Sequence, residues 1–270
     1  MPVDTALTAL LRRDRVIILT SLFAIAFLAW TCLFWFASIM QMEMPAPAMN
    51  MPGMAMEMSP AFTAWTFSHA LVIFTMWAVM MIGMMTPSVA PVVLLYSRTA
   101  LAAQAQGKVF AAAFWFAAGY LLAWLVFALA ATAGQWALDW AALLTPMMIS
   151  ASRIFGGLLL IAAGVYQWTP LKHACLEHCR APLHFIIGHG GFRPGKAASL
   201  RLGMLHGAYC VGCCWALMLL LFVGGVMNLL WIAALMILVL LEKVAPWGRV
   251  VARVAGLLAA GGGALLMAGY

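Results

Sequence analysis

The sequence predicts an all-α protein, a polytopic bundle of transmembrane helices with its N-terminus in the cytoplasm. The 270 residues are 67% hydrophobic and only 8% charged, whereas a soluble domain has about 25% charged residues. The apolar residues fall in runs that approach or exceed the ~20 residues needed to cross a bilayer. Backbone polar groups find no water inside a bilayer, so such runs are expected to form helices.

Seven apolar runs indicate about seven spans in a single membrane domain over residues 1–270. The runs are 16–40, 66–97, 109–133, 151–168, 202–222, 226–242 and 252–270. The second run is too long for one straight span, and Pro87 and Pro91 are expected to kink or end it. The last two runs are short and the final one is glycine-rich, so six spans with one re-entrant segment remain an alternative.

The basic residues predict the orientation of the chain. With the N-terminus inside, the inner loops hold 13 Lys and Arg residues, and the outer loops hold Arg153 alone. This bias predicts a multi-pass inner-membrane protein with these loops in the cytoplasm and the lipid bilayer as its surroundings. The net charge of +7 is dispersed over several loops, which argues against nucleic acid as a partner. The six cysteines avoid the outer loops, so free thiols are expected.

A predicted outer loop over 41–64 is rich in methionine, and its prolines and glycine disfavour a helix. Thioethers are soft ligands that select Cu(I), and they do not titrate in an acidic compartment. The alternative is a low-complexity linker at the membrane surface. The candidate ligands, starting just before the loop, are Met40, Met42, Met44, Met49, Met51, Met54, Met56 and Met58.

The second apolar run carries two parallel rows of methionine at helical spacing, preceded by His69. Side chains four residues apart lie on the same face of a helix, so the rows could pass Cu(I) along the span. The alternative is ordinary core packing, because Met fills irregular gaps in many proteins. The rows consist of Met76, Met80 and Met84, and of Met81 and Met85.

The fifth apolar run places His206, Cys210, Cys213 and Cys214 on one helical face. Three thiols beside a histidine can bind copper or zinc as thiolates, although a single cysteine is often only a buried apolar residue. Glycines at 203 and 207 form a small-xxx-small pair that lets another helix approach. The run therefore predicts a metal site near the middle of the membrane, with the three cysteines facing the interior of the bundle.

The predicted inner loop over 169–201 contains Cys175 and Cys179, four residues apart, and His184 and His189, five residues apart. These four side chains resemble a zinc or copper site, with a shorter gap between the pairs than in a zinc finger. The alternative is a set of surface thiols and histidines on a basic segment close to the membrane.

Three stretches resemble a known family. They are WAVMMIGMMTPSVAPVVLLY over 77–96, YQWTPLKHACLEHCRAP over 166–182, and the segment 203–243 with GAYCVGCCWALM, FVGGVMNLLWIA and LLEK. They are similar to a bacterial family of predicted metal-binding integral membrane proteins whose function is poorly defined. The resemblance covers most of the chain from residue 66 onwards, and it implies a membrane-embedded metal site.

These patterns together predict a copper-handling protein that takes Cu(I) up on methionines outside and passes it to Cys and His inside; zinc is the alternative metal. A periplasmic or cytoplasmic copper chaperone, or a partner membrane enzyme, is the expected protein partner. Two other functions stay open: a membrane-embedded metal-dependent oxidoreductase, and an assembly factor that loads copper into a partner enzyme. The chain lacks a phosphate-cradling glycine loop, which argues against an ATP-driven pump.

Overall fold

The structure is a computed structural model that describes residues 2–42, 65–105, 113–145, 148–189 and 195–269. Within these ranges it is helical apart from short turns and one isolated β-bridge, so the predicted all-α fold is confirmed. The helices, in chain order, are α1 (Pro2–Met42), α2 (Phe67–Ala105), α3 (Ala113–Trp140), α4 (Arg153–Tyr166), α5 (Pro170–Arg180), α6 (Pro182–Gly188), α7 (Lys196–Leu219), α8 (Leu221–Gly224), α9 (Leu229–Val244) and α10 (Gly248–Met267).

Five helical segments of the described chain are long and apolar enough to cross a membrane, and a bent pair can supply a sixth. The pair is α4 and α5, which meet at 64°. The predicted count of about seven is not confirmed, because α9 has only 16 residues and α4 only 14. The broken segment also lies earlier in the chain than the re-entrant segment that the last two runs predicted. The five single segments are Arg15–Ile39, Phe67–Thr99, Ala113–Trp140, Lys196–Gly224 and Gly248–Met267.

Helix α2 continues through Pro87 and Pro91, so the expectation that they might end it is wrong. A proline has no N–H, and it leaves a carbonyl of the preceding turn without its helical donor. The hydroxyls of Thr86 and Ser88 donate to carbonyl oxygens one turn earlier, at 2.6 and 2.9 Å. These acceptors are the carbonyls of Ile82 and Met85, which neighbour the two that the prolines leave without a helical donor, those of Gly83 and Pro87.

Helices α3 and α7 pack backbone to backbone. A Cβ at Gly203 would lie 2.0 Å from the Phe116 carbonyl oxygen, and a Cβ at Gly207 would lie 2.6 Å from the Cβ of Ala123. Such distances are possible only for glycine, so the predicted approach surface is confirmed. The close contact places Tyr120 of α3 directly against the cysteines of α7.

Helices α4 and α10 use the same kind of contact. A Cβ at Gly164 would lie 2.6 Å from the Gly256 carbonyl oxygen, and one at Gly157 would lie 2.8 Å from that of Gly263. Without apolar driving force between helices in lipid, this close van der Waals packing stabilises the pair.

The segment predicted as an inner loop over 169–201 is largely helical. Helix α5 begins after Thr169, whose side chain accepts a hydrogen bond from the amide of Lys172, and Pro170 occupies the first helical turn, where its missing N–H costs nothing. Helix α5 then packs against α7. Cys175 and Cys179 therefore lie one turn apart on a packed helix and not on a loop.

Candidate metal centre

The three cysteines of α7 face the interior of the bundle. Cys210, Cys213 and Cys214 are each 1% exposed, and His206 of the same helix is also buried. The predicted inward orientation of these side chains is confirmed.

Cys179 of α5 joins the α7 cysteines. Its sulfur lies 4.0 Å from the sulfur of Cys213, and it also interacts with Cys210. With metal–sulfur bonds of about 2.3 Å, sulfurs this far apart would subtend about 120° at a shared ion. We call Cys179, Cys210, Cys213 and Cys214 the thiol cluster. Cys175 lies beside it, with its sulfur 2.9 Å from where a Cβ at Gly212 would be.

The thiols of the cluster are not yet arranged around an ion. No three Cys, His, Asp or Glu side chains of the described chain form a ready-made metal site. The reason is visible at Cys213 and Cys214, whose thiols both donate to the Cys210 carbonyl oxygen, at 3.1 and 3.0 Å. A metal would have to turn these thiols away from the carbonyl by rotation about χ1.

Lys243 and Tyr120 contact the sulfur of Cys210, and the hydroxyl of Ser88 contacts both of these residues. The ammonium of Lys243 lies 2.9 Å from the Cys210 sulfur and 3.3 Å from the hydroxyl of Ser88. The hydroxyl of Tyr120 lies 3.0 Å from the same sulfur and 3.4 Å from Ser88. Lys243 is nearly fully buried and has no carboxylate partner in the described chain. Its positive charge can therefore balance the negative charge of thiolate ligands.

A buried ion pair lies next to this centre. Lys172 of α5 contacts Glu242 of α9 at 2.7 Å, and both side chains are at most 1% exposed. Gln167 donates to the other carboxylate oxygen at 2.9 Å. The pair joins α5 to α9, and it thereby helps to hold Cys179 against α7.

Sequence reasoning missed this charge network. It assigned Lys172 and Lys243 to the cytoplasmic loops, and Glu242 to the end of a span. All three side chains are buried in the structure. The adjacent Glu and Lys that close the apolar run 226–242 were the available signal, because charges at a helix end that cannot reach water require partners.

The structure separates the predicted combination of Cys175, Cys179, His184 and His189. The two cysteines lie on the side of α5 that packs against α7, whereas His184 and His189 line a surface cavity of about 490 Å³ together with His178. The physical reason is the interruption of the helix at Ala181, whose backbone is not helical. Helix α5 ends at Arg180, and α6 begins at Pro182 in a new direction. Spacing along the sequence gave no sign of this separation.

Comparison with known proteins gives the family. Residues 74–266 match a family model described as PpoB2, a copper chaperone. The chain belongs to the PpoB2 copper chaperone family. No curated protein and no solved structure matches it. The family match includes the thiol cluster, Lys243 and the buried ion pair, and it begins after the methionine-rich segment.

The methionine rows of α2 lie within the region that the family match covers. All five side chains are buried, at 0–1% exposure, and this is equally compatible with core packing and with a metal path. The Tyr120 hydroxyl contacts both Cys210 and, at 3.4 Å, the Met85 carbonyl oxygen. The backbone of α2 therefore lies one side chain away from the thiol cluster.

The remaining predicted ligands lie outside the family match. The ring of His69 packs edge-on against Trp65, with ring centres 5.1 Å apart, and it interacts electrostatically with Asp139 of α3. Met42 ends α1, and residues 43–64, which contain Met44, Met49, Met51, Met54, Met56 and Met58, lie outside the described residues.

Proposed function

We propose that this protein is a membrane-embedded copper chaperone that holds Cu(I) on its thiol cluster and delivers it to a partner protein. One observation carries the proposal: four thiols from two separate helices meet inside the bundle, with Cys179 and Cys213 only 4.0 Å apart. Thiolates are soft ligands that suit Cu(I). The family description supports copper as the metal and delivery as the role.

The charges at the centre are compatible with this cargo. Cu(I) bound by two or three thiolates carries net negative charge, which is costly in a medium of low dielectric constant. The ammonium of Lys243, 2.9 Å from Cys210, offsets part of that charge. An intramembrane lysine without a carboxylate partner is expensive and usually functional, and this role explains its position.

We further propose the route and the location. The protein lies in the bacterial inner membrane, captures Cu(I) outside on the methionines of 40–58, and passes it along the rows of α2 towards the thiol cluster. The bias of basic residues towards one side supports this orientation. Neutral thioethers hold the ion more weakly than thiolates, so the ion moves towards the cluster without ATP. The family description favours loading of a partner enzyme over the oxidoreductase alternative.

Metal analysis of the purified protein tests the cargo. Protein in detergent is incubated with Cu(I), Zn(II) and Fe(II) together, desalted, and analysed for all three metals. We expect stoichiometric copper in the parent protein and little in Cys213→Ser or Cys179→Ser. Cys32→Ser is the matched control, since this cysteine lies on α1 outside the cluster, and it should keep its copper. Full copper in both cluster variants, or stoichiometric iron in the parent, would overturn the proposal.

Reconstitution in proteoliposomes tests the role. A chaperone should transfer its bound copper to an acceptor on one side of the membrane, and no copper should accumulate in the lumen. Accumulation of copper in the lumen would show a transporter.

A further inference from the structure

A cavity of about 490 Å³ opens next to the thiol cluster, at the surface formed by α5 and α6. Histidines at positions 178, 184 and 189 line it, with Phe185 at its base. We propose that His178 and His189 form a second Cu(I) site through which copper leaves the thiol cluster on the cytoplasmic side; we call it the outer site because it lies at the protein surface, outside the core of the bundle. This inference rests on the proposed function, and it adds the route of exchange.

Both imidazoles are held with one nitrogen available. The Nδ1 of His178 lies 2.8 Å from the Ala174 carbonyl oxygen, and the Nδ1 of His189 lies 2.8 Å from that of Phe185. A carbonyl only accepts, so in each ring Nδ1 carries the hydrogen and donates it. In the neutral rings each Nε2 then keeps a free lone pair. Histidines that bind metals are typically held in this way, with the second nitrogen donating to a carbonyl or carboxylate.

The distance between the rings fits a shared ion. The ring centres of His178 and His189 are 5.9 Å apart. With a metal–nitrogen bond of about 2.0–2.1 Å and a ring centre roughly 1.1 Å behind the nitrogen, two rings on one ion are separated by at most about 6.4 Å. The observed distance therefore fits an ion held by two imidazoles at a wide angle. Cu(I) accepts two ligands in such an arrangement, whereas structural zinc sites take four.

Tyr209 of α7 supports both rings. It stacks on His178 with ring centres 4.2 Å apart and planes 6° apart. Its hydroxyl lies 3.3 Å from the Nε2 of His189, and it donates to this lone pair when no metal is bound. Copper would displace this single weak hydrogen bond. The stack fixes the plane of His178 independently of the metal.

His206 connects the outer site to the thiol cluster. It lies one helical turn before Cys210, is 2% exposed, and its Nδ1 has no hydrogen-bond partner in the described chain. Its ring centre is 5.0 Å from that of Phe185 at the base of the cavity. It interacts electrostatically with both His178 and Cys210. A buried polar nitrogen without a partner is unfavourable, and a passing ion would supply the missing contact.

The two sites also adjoin through the backbone. His178 and Cys179 are consecutive residues of α5, and Tyr209 and Cys210 are consecutive residues of α7. Successive side chains on a helix point about 100° apart, so α5 directs the His178 ring to the cavity and the Cys179 thiol to the cluster, while α7 directs the Tyr209 ring to the two histidines and the Cys210 thiol to the cluster. Copper could therefore pass between the two sites along the contact of α5 with α7, without crossing another helix.

The test measures exchange of copper in the full-length protein. Protein loaded with Cu(I) is mixed with an excess of a water-soluble Cu(I) chelator, and copper loss is followed by absorbance. The outer site is the weaker of the two, so desalting leaves only the copper of the thiol cluster. We expect His178→Phe and His189→Phe to retain this cluster copper and to release it at least about tenfold more slowly, the lower end of what the loss of a metal-site residue costs. Phenylalanine keeps the ring against Tyr209. His173→Phe, on α5 but outside the cavity lining, is the matched control and should exchange at the parental rate.

A second measurement isolates the outer site. In a variant with all four cluster cysteines replaced by serine, mixed with one equivalent of Cu(I) and not desalted, X-ray absorption should show Cu(I) bound by nitrogen, and adding His178→Phe should abolish this signal. Size-exclusion profiles confirm that each variant is folded; if the serine variant is not, the exchange rates alone decide. Parental release rates in both His178→Phe and His189→Phe would overturn the outer site and leave the proposed function intact. A parent protein that binds no copper would instead overturn the proposed function.

Discussion

The contact between α3 and α7 predicts that one methyl group at Gly119 disturbs both stability and copper binding. A Cβ at this position would lie 2.0 Å from the Leu200 carbonyl oxygen and 2.9 Å from the Met204 amide nitrogen, whereas ordinary contacts begin at 3.4 Å. Both neighbours are backbone atoms that cannot turn away. The two helices must therefore separate by roughly 1 Å, and overpacking of this kind costs about 1–3 kcal/mol.

The separation also reaches the metal centre, because the adjacent Tyr120 contacts Cys210 at 3.0 Å. We expect Gly119→Ala to lower the thermal unfolding midpoint of the purified protein, followed by circular dichroism in detergent, and to lower its copper content. Gly134→Ala is the control on the same helix, since a Cβ there has nothing within 4 Å. Better helix propensity should make it neutral or up to about 1 kcal/mol more stable. Equal midpoints for the two variants would refute the reasoning.

Three further predictions concern charge, topology and capture. Replacing Lys172 with Met should lower the free energy of unfolding by about 3–5 kcal/mol, because Glu242 is left as an unpaired buried charge. Adding Glu242→Leu should recover most of this loss in the same unfolding assay. No recovery would contradict the ion-pair explanation. A cysteine introduced at the exposed Leu183 of α6 should react with a membrane-impermeant reagent in inverted vesicles and not in whole cells, and the opposite pattern would reverse the topology. Replacing the eight methionines of 40–58 with Leu removes the copper ligands while keeping the approximate side-chain volume. The copper content of cells should then fall only at low external copper. Parental copper content at every external concentration would show that the segment is only a linker.

The fold class and the inward face of α7 could be predicted because they depend on local patterns. The apolar runs predicted helices that could span a membrane, and the spacing of Cys210, Cys213 and Cys214 placed them on one face. The glycines at 203 and 207 indicated a close helix contact, which the structure shows against α3. Each of these inferences uses residues within about two helical turns of each other.

The fourth thiol could not be predicted in this way. Cys179 was grouped with His184 and His189, which follow it in the chain, yet it packs against α7. Its position depends on the 64° bend between α4 and α5, and no single residue marks the size or direction of that bend. Hydropathy likewise placed Lys172 in a loop, because it scores each residue alone and cannot show a partner on a distant helix.

The division of the thiol cluster between α5 and α7 also sets the order in which it is made. Cys179 leaves the ribosome first, the α7 cysteines follow, and Lys243 comes last. At about 5–20 residues per second, the interval from Cys179 to Lys243 is about 3–13 s. The early thiol lacks its neighbours for about the first half of this time and its counter-charge for all of it, so it must remain reduced without the protection of the folded bundle. A reducing compartment during synthesis meets this requirement, and under the proposed function the complete thiol cluster with its counter-charge becomes available to copper only after Lys243 has been made.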